Sequence, residues 1–258
     1  MTVLQAIVLG AVQGFAEFLP ISSSGHLILL QNVFGIENNV LFYSVMLHIG
    51  TLIPVIIVLF KDIIQIIKVQ SKFWCLVVAT IPAGIVGVVL GFFDIDAIFA
   101  NNIWLLAITF LFTAGMLLFS EKRAKKVVLN REINFTSATF MGLGQAIGVL
   151  PGISRSGATL SGGTLARVKK DQNASFTFLM SIPIILFAAL IEGYKCYKNG
   201  AGNIATVPLL IGMLTAMITG YIAIKFMLKV IRKANYKWFS LYLVGVALFT
   251  MVSYFVKF

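Results

Sequence analysis

Six apolar segments, each long enough to cross a lipid bilayer, constrain the fold of this chain more than any other feature. An α-helix rises about 1.5 Å per residue, so about 20 apolar residues are needed to cross the hydrocarbon core. The six segments cover residues 40–60, 73–93, 98–119, 172–192, 204–231 and 238–257. Because hydrophobic residues make up 59% of the 258 residues and charged residues only 11%, we predict an all-α polytopic membrane protein with six transmembrane helices.

Four shorter helical stretches form two pairs, and each pair is joined by a serine-rich turn. They cover residues 2–18, 24–35, 136–149 and 157–168. Each stretch is too short or too polar to span comfortably, so we predict two re-entrant helical hairpins. One hairpin and three spans make up residues 1–120, and another such set makes up residues 135–258, with a basic loop at 121–134 between them. An odd number of spans per half predicts an inverted-topology repeat, with a site where the repeats meet.

The basic residues predict how the chain is oriented in the membrane. Sixteen of the 20 Lys and Arg residues fall on one side of this layout, whereas three fall on the other, namely Lys195, Lys198 and Lys257. That other side also receives the acidic residues Glu37, Asp94, Asp96 and Glu192. The basic side is expected to be cytoplasmic, so both termini face outward. The first hairpin then enters from the outer face and the second from the cytoplasm.

Three observations exclude other classes of protein. The net charge of +11 comes from short basic stretches beside apolar spans, which indicates membrane orientation and not nucleic-acid binding. Cys75 and Cys196 have no CxxC spacing, which argues against a zinc or redox motif. The N-terminus lacks a basic leader and a cleavage site, so the first helix is expected to belong to the mature fold.

The first serine-rich turn carries costly polar groups. Glu17 lies in an otherwise apolar helix, and an ionisable residue at membrane depth indicates a functional site. Gln13, four residues earlier, shares its helix face. Pro20 ends that helix, and the hydroxyls of Ser22, Ser23 and Ser24 can cap the helix that begins near Gly25 and carries His26 in its first turn.

The second turn nearly repeats the first. Ser154, Ser156 and Gly157 open a helix, and Arg155 adds a permanent positive charge. A helix N-terminus offers free N–H groups and a partial positive charge, so two such starts with a guanidinium and an imidazole would form a receptor for an oxyanion. Phosphate fits this set of donors best.

A carboxylate at Glu17 would repel the oxygens of a bound phosphate, so we expect it to carry a cation or a proton. It can hold a divalent cation together with the Gln13 amide oxygen, or it can transfer protons. The three serine hydroxyls offer a nucleophile, and His26 is the nearest base or alternative nucleophile. His48 has no partner in the sequence and is predicted to be a packing residue or a neighbour of the site.

Two sequence segments resemble the signatures of the undecaprenyl-diphosphate phosphatase family, which confers bacitracin resistance. They are QGFAEFLPISSSGH, from Gln13 to His26, and LPGISRSGAT, from Leu150 to Thr159. The similarity extends over the whole chain in length and in the order of spans. Gln13 stands where some members have a second carboxylate, and Ser24 stands where others have Thr.

The resemblance implies an enzyme of the bacterial inner membrane that hydrolyses undecaprenyl diphosphate and recycles the lipid carrier for peptidoglycan synthesis. His26 and Arg155 match the family's essential histidine and arginine, and we expect catalysis by Glu17, Ser23, His26 and Arg155. The substrate-binding residues would be Gln13, Ser22, Ser24, Gly25, Ser154, Ser156, Gly157 and Thr159. We expect a Mg²⁺ or Ca²⁺ ion held by Glu17 and Gln13, Ser23 as nucleophile with His26 as the fallback, and an active site open to the outer face.

Two other functions compete with the phosphatase. A polyprenyl-phosphate flippase would use the inverted repeat but would need neither a nucleophile nor a catalytic cation. An intramembrane serine protease would leave Arg155 and the second turn without a purpose. The sequence leaves homodimerisation open.

Overall fold

A computed structural model describes residues 1–36, 40–199, 206–233 and 235–256 of the chain. Within these residues the regular elements are helices, and an isolated bridge pairs Arg131 with Val168. The helices are α1 Val3–Phe18, α2 Ser23–Val33, α3 Val40–Val58, α4 Phe60–Lys68, α5 Gln70–Phe92, α6 Ile95–Asn101, α7 Trp104–Lys126, α8 Phe135–Ile147, α9 Arg155–Leu165, α10 Lys170–Leu179, α11 Ser181–Asn199, α12 Thr206–Lys233 and α13 Lys237–Val256.

Six helical segments of the described chain are long and apolar enough to cross a membrane, which confirms the predicted multi-pass membrane protein. They are Leu41–Val58, Gln70–Phe92, Trp104–Lys126, Lys170–Tyr194, Thr206–Ile231 and Lys237–Val256. Five lie close to the predicted bounds, while the third begins and ends several residues later than expected. The fourth consists of two helices, because α10 ends at Leu179 and α11 begins at Ser181.

Two short helices were not predicted. Both α4 and α6 lie in loops between spans, and at nine and seven residues they are too short to cross a bilayer. α4 is amphipathic, with Ile66 buried and Lys61 and Lys68 exposed at its ends. An amphipathic helix of this kind is typical of a segment that lies along the membrane surface.

Small residues allow the helices of the two halves to pack closely. A Cβ atom on Gly10 of α1 would lie 2.3 Å from the Gly212 carbonyl oxygen of α12, and one on Gly142 of α8 would lie 2.7 Å from the Ala79 carbonyl oxygen of α5. Such contacts between backbones are typical of membrane helices, which gain little from the hydrophobic effect inside lipid. The packing fixes α1 against α12 and α8 against α5.

Some sequence predictions concern residues outside this description. Cys75 is a buried free thiol, as its placement in an apolar span predicts, whereas the side chain of Cys196 is outside the described set. The same holds for the Lys195 side chain and for residues Glu37 and Lys257, which contributed to the predicted orientation.

Candidate active site

The first serine-rich turn connects α1 to α2 with a tight reversal. α1 ends at Phe18, and Leu19 is extended because the following Pro20 disfavours helical backbone before it. Ser22 has a φ of 67°, a conformation uncommon outside glycine, and its hydroxyl accepts a hydrogen bond from the Gly25 N–H at 3.3 Å. The predicted serine cap is therefore made by Ser22, and α2 begins at Ser23.

The second turn is built in the same way. Ser154 caps α9 by accepting from the Gly157 N–H at 3.1 Å, and its hydroxyl lies 3.2 Å from that of Ser156. The corresponding hydroxyls of Ser22 and Ser24 are 3.4 Å apart. Each turn therefore presents two hydroxyls beside a helix N-terminus, where the peptide dipoles favour negative charge.

The two turns are in direct contact. A Cβ on Gly25 would lie 2.8 Å from Cα of Gly152, and one on Gly157 would lie 3.3 Å from Cβ of Pro20. The Ser156 hydroxyl also donates to the Leu19 carbonyl at 3.2 Å. The glycines of both turns thus allow the two helix starts to meet.

α7 holds the second turn in place. The Thr113 hydroxyl donates to the Gly152 carbonyl at 3.2 Å and accepts from the Ser154 N–H at the same distance. This role of Thr113 was not predicted, because a threonine inside an apolar span resembles any other helix-packing residue.

Glu17 is the centre of the polar contacts. One carboxylate oxygen, Oε2, accepts from the Ser23 hydroxyl at 2.7 Å and from Gln13 Nε2 at 3.0 Å, and it lies 3.3 Å from His48 Nε2. The other oxygen, Oε1, accepts from Arg155 Nη2. Only 4% of the Glu17 side chain is exposed, so these partners replace nearly all of its hydration.

A cavity of about 190 Å³ opens beside this cluster. Its lining combines polar groups of both turns with apolar side chains of neighbouring helices, namely Ala16, Glu17, Ser22, Ser23, Ser24, Val45, His48, Gly148, Val149, Ile153, Ser154, Arg155, Ser156, Ile184, Ile185 and Ala188. The buried Nη1 of Arg155 has no hydrogen-bond partner within the described chain. An unpaired guanidinium nitrogen among serine hydroxyls is suited to an incoming oxyanion.

His26 does not line this cavity. Its Nδ1 lies 2.7 Å from the Ser22 carbonyl oxygen, which can only accept, so Nδ1 carries a proton. In the neutral ring Nε2 is then an acceptor, and the Tyr242 hydroxyl donates a hydrogen bond to it at 2.9 Å. The ring also stacks on Tyr242 and meets Phe110 edge to face. The basic nitrogen of His26 is therefore engaged with α13 and not with Arg155.

Four other predicted substrate-binding residues do not line the cavity. Gly25 and Gly157 serve the contact between the turns, and the Thr159 hydroxyl donates to the Arg155 carbonyl at 2.8 Å. Gln13 is buried with its amide nitrogen on Glu17 and its amide oxygen without a partner among the described residues. These residues act on the geometry of the site from behind the cavity wall.

His48 lies at the cavity itself, whereas it was predicted to be a packing residue or a neighbour of the site. It lines the cavity, and its Nδ1 lies 2.7 Å from the Ser44 carbonyl, so Nδ1 carries a proton. Nε2 lies 3.3 Å from Glu17 Oε2, a distance at which a protonated imidazole forms an ion pair with a carboxylate. A histidine inside an apolar span was itself a signal of function.

The residues present only partly fit a divalent cation. Among the described residues, no three His, Cys, Asp or Glu side chains cluster as a metal site. Glu17 is the one carboxylate lining the cavity, and donors already contact both of its oxygens. The unpaired amide oxygen of Gln13 is the available second ligand of the kind that hard cations bind.

Comparisons with known proteins agree with the signatures in the two turns. A family model described as bacitracin resistance protein BacA matches residues 6–249. A protein named undecaprenyl-diphosphatase from Carboxydothermus hydrogenoformans is 40% identical, with 94% of each chain covered. Proteins of the same name from Methanobrevibacter smithii and Treponema denticola are 36% and 35% identical and are covered over 97% and 96% of their lengths, with 96% of this chain covered in each case. This chain belongs to the BacA family of bacitracin resistance proteins.

Proposed function

We propose that this protein is a membrane phosphatase that hydrolyses undecaprenyl diphosphate to undecaprenyl phosphate and inorganic phosphate. The reaction would recycle the lipid carrier for peptidoglycan synthesis and confer bacitracin resistance. One observation carries the proposal: a serine hydroxyl, a carboxylate and an arginine with an unpaired nitrogen meet at one cavity. The identity of the substrate is inferred from the name of the relatives, undecaprenyl-diphosphatase.

The two halves are proposed to be inverted repeats, each formed by a re-entrant hairpin and three spans. Ser22, Ser24 and Gly25 correspond at a constant offset to Ser154, Ser156 and Gly157, and the helix caps are equivalent. The packing of α1 on α12 corresponds to the packing of α8 on α5. This equivalence supports the division into residues 1–120, 121–134 and 135–258.

The membrane is proposed to be the bacterial plasma membrane, with the active site open to its outer face. The bias of basic residues toward one side supports this orientation. Homodimerisation stays a prediction, which cross-linking in native membranes would test.

The diphosphate is proposed to bind between the two turns. Nη1 of Arg155 and the hydroxyls of Ser22, Ser24, Ser154 and Ser156 would bind its oxygens, and the two helix N-termini would favour its charge. The apolar part of the lining, formed by residues such as Val45 and Ile184, would contact the first isoprene units. The remaining tail would stay in lipid.

Ser23 is the proposed nucleophile, and Glu17 is the proposed base. The Ser23 hydroxyl donates to Glu17 Oε2 at 2.7 Å, so the carboxylate can take its proton as the oxygen attacks the terminal phosphorus. The bond from that phosphorus to the bridging oxygen breaks, and undecaprenyl phosphate leaves. Water then attacks the phosphoserine, releases inorganic phosphate and restores the hydroxyl.

His26 is the alternative nucleophile or base. Its Nε2 has the required lone pair, but the Tyr242 hydroxyl would have to leave it first. The contact of Ser23 with Glu17 favours serine, because it is already formed in the structure.

A Mg²⁺ or Ca²⁺ ion remains part of the proposal. Glu17 and the Gln13 amide oxygen would hold it, and it would neutralise charge on the phosphates. Gln13 Oε1 is buried without a partner in the described chain, and the amide would have to turn its Nε2 away from Glu17 for Oε1 to join the carboxylate as a ligand. The cation would compete with Arg155 for the Glu17 carboxylate.

The decisive experiment measures phosphate release from C55 diphosphate by the purified protein, with and without a chelator. The wild type is compared with Glu17→Ala, Ser23→Ala, His26→Ala and Arg155→Ala. Release that is lost in the Ser23 and Arg155 variants and on chelation supports the proposal. The alternative is a flippase, which the proposed inverted repeat also allows. In that case the folded wild-type protein would release no phosphate but would move polyprenyl phosphate across the membrane of vesicles.

A further inference from the structure

A second cavity, of about 320 Å³, lies away from the candidate active site and contains three arginines. It is lined by Arg123, Arg131, Asn134, Thr136, Ser137, Phe140, Leu165, Ala166 and Arg167, and none of these residues lines the active-site cavity. We call it the arginine cavity. α9 connects the two cavities, since it begins at Arg155 and ends at Leu165.

Backbone contacts bring two of the three arginines together. The Arg131 N–H donates to the Arg167 carbonyl at 3.0 Å, and the Lys169 N–H donates to the Arg131 carbonyl at 2.9 Å. Arg167 has a φ of 62°, which is strained for a residue with a side chain. Arg123 comes from the last turn of α7. The backbone of Arg131 and Arg167 is thus fixed side by side, and Arg123 lines the same cavity from α7.

The positive charge of the arginine cavity is not balanced by protein groups. No carboxylate lines it, and none of its arginines forms an ion pair with another residue of the described ranges. The nearby Glu132 pairs with Lys169 at 3.1 Å. Arg123 Nε is buried and has no hydrogen-bond partner among the residues that the structure describes. Three guanidinium groups held together without an anion call for an anionic ligand.

The rest of the wall selects the type of anion. Phe140 and Leu165 are apolar and exposed, at 45% and 42%, next to the arginines. Asn134 caps α8, so the positive end of that helix also faces the cavity rim. A ligand with a phosphate group and attached apolar chains would satisfy both parts of the wall. Basic pockets at the cytoplasmic ends of membrane helices are typical binding sites for anionic lipid headgroups.

We propose that the arginine cavity binds the phosphate group of an anionic phospholipid from the cytoplasmic leaflet, with the acyl chains along Phe140 and Leu165. Soluble inorganic phosphate shares the chemistry of the headgroup but would make no use of the apolar wall. The site is independent of the proposed phosphatase reaction, because it uses none of its residues.

The test uses the full-length protein in phosphatidylcholine nanodiscs containing a minor fraction of phosphatidylglycerol. Native mass spectrometry counts the phosphatidylglycerol molecules that stay bound to the wild type and to R123Q/R131Q/R167Q. The matched control is K122Q/K126Q/K229Q, which loses the same formal charge from exposed lysines outside the cavity. Single Arg123→Gln replaces the triple variant if that variant elutes as an aggregate.

The arginine variant should bind phosphatidylglycerol roughly 10-fold more weakly than the lysine control. Both variants lose the same diffuse electrostatic attraction, but only the arginine variant also loses the binding site. Equal losses in both variants, or no loss in either, overturn the proposal. A second arm titrates inorganic phosphate into the protein in pure phosphatidylcholine nanodiscs. Saturable phosphate binding that disappears in the arginine variant, with phosphatidylglycerol binding unchanged, would assign the site to a soluble anion and also overturn the proposal.

Discussion

Arg155 donates a hydrogen bond to the carboxylate of Glu17 and so joins two residues that are 138 positions apart in the sequence. Each residue stands beside one of the two serine-rich turns, and the exposed fractions of their side chains are 18% and 4%. A buried ion pair contributes little net stability while it is intact, but removing one partner leaves an uncompensated charge. The contact therefore joins the two serine-rich turns beside the cavity that Glu17 and Arg155 both line.

Arg155→Ala should reduce both activity and stability. The Glu17 carboxylate would remain buried without its cation, which costs about 3 kcal/mol or more. Arg155→Lys keeps the charge but loses the planar fork, so phosphate release should fall roughly 100-fold while stability falls less. Phosphate release and thermal unfolding in detergent measure the two effects.

The exposed Lys229 provides the control for Arg155, because this cation lines neither of the two cavities. Lys229→Ala should leave phosphate release within about a factor of two, since surface substitutions away from special features have small effects. Wild-type turnover in Arg155→Lys would remove the guanidinium from the proposed chemistry.

The sequence predicted the spans well because their signal is local. A run of about 20 apolar residues has few alternatives to a membrane helix, and serine before glycine predicts a cap wherever it occurs. The break between α10 and α11 and the short helices α4 and α6 were missed. Such breaks depend on packing between distant segments, which a single sequence does not reveal.

The site was predictable as a set of residues but not as an arrangement. Glu17 and Arg155 stood out because charge at membrane depth is costly. Which donor contacts which acceptor depends on the meeting of α1, α2, α3 and α9, so neither the His48–Glu17 contact nor the His26–Tyr242 contact could be read from spacing. His48 was recognisable in the sequence as a histidine inside an apolar span, but its place at the site becomes clear only from its contact with Glu17.

Ser23→Ala tests the proposed nucleophile. Loss of the hydroxyl should reduce phosphate release at least about 1000-fold, because Ser23 is the cavity serine whose hydroxyl already donates to the proposed base Glu17. Ser161→Ala is the matched control, since that buried hydroxyl donates to the Gly157 carbonyl outside the cavity lining. Trapping of ³²P on the wild type but not on Ser23→Ala would identify the phosphoserine directly. Phosphate appearing on a histidine would assign the attack to His26.

His48→Phe should impair catalysis without unfolding the protein. Loss of the imidazole beside Glu17 should weaken transition-state stabilisation by about 2 kcal/mol, which predicts a fall of roughly 30-fold in kcat/KM. His48→Gln places an amide group near the carboxylate and should recover part of that loss. Steady-state kinetics across pH measures both variants, and equal activity of His48→Phe and wild type would reduce His48 to packing.

Tyr242→Phe distinguishes a structural His26 from a catalytic one. The Tyr242 hydroxyl donates a hydrogen bond to His26 Nε2 in the structure. A hydrogen bond between neutral groups contributes about 1 kcal/mol, so its loss should change activity by at most roughly 5-fold. His26→Ala should abolish turnover if Nε2 acts on substrate. A Tyr242→Phe variant as inactive as His26→Ala would mean that the pair acts by fixing α13 against the first turn.

Gly25→Ala tests whether the contact between the turns is needed for the active site. In an open helix the change from glycine to alanine is favourable by about 1 kcal/mol, because it restricts the unfolded chain. At Gly25, however, the new methyl group would lie 2.8 Å from both the Gly152 backbone and the Phe110 ring, so overpacking should cost about 1–3 kcal/mol and separate the two helix starts. Gly115→Ala, in α7 with no atom within 4 Å of the added methyl, is the matched control and should be neutral or stabilising. Unfolding midpoints and phosphate release measured on both variants decide the matter: full activity in Gly25→Ala would show that the turns need not touch for the site to form.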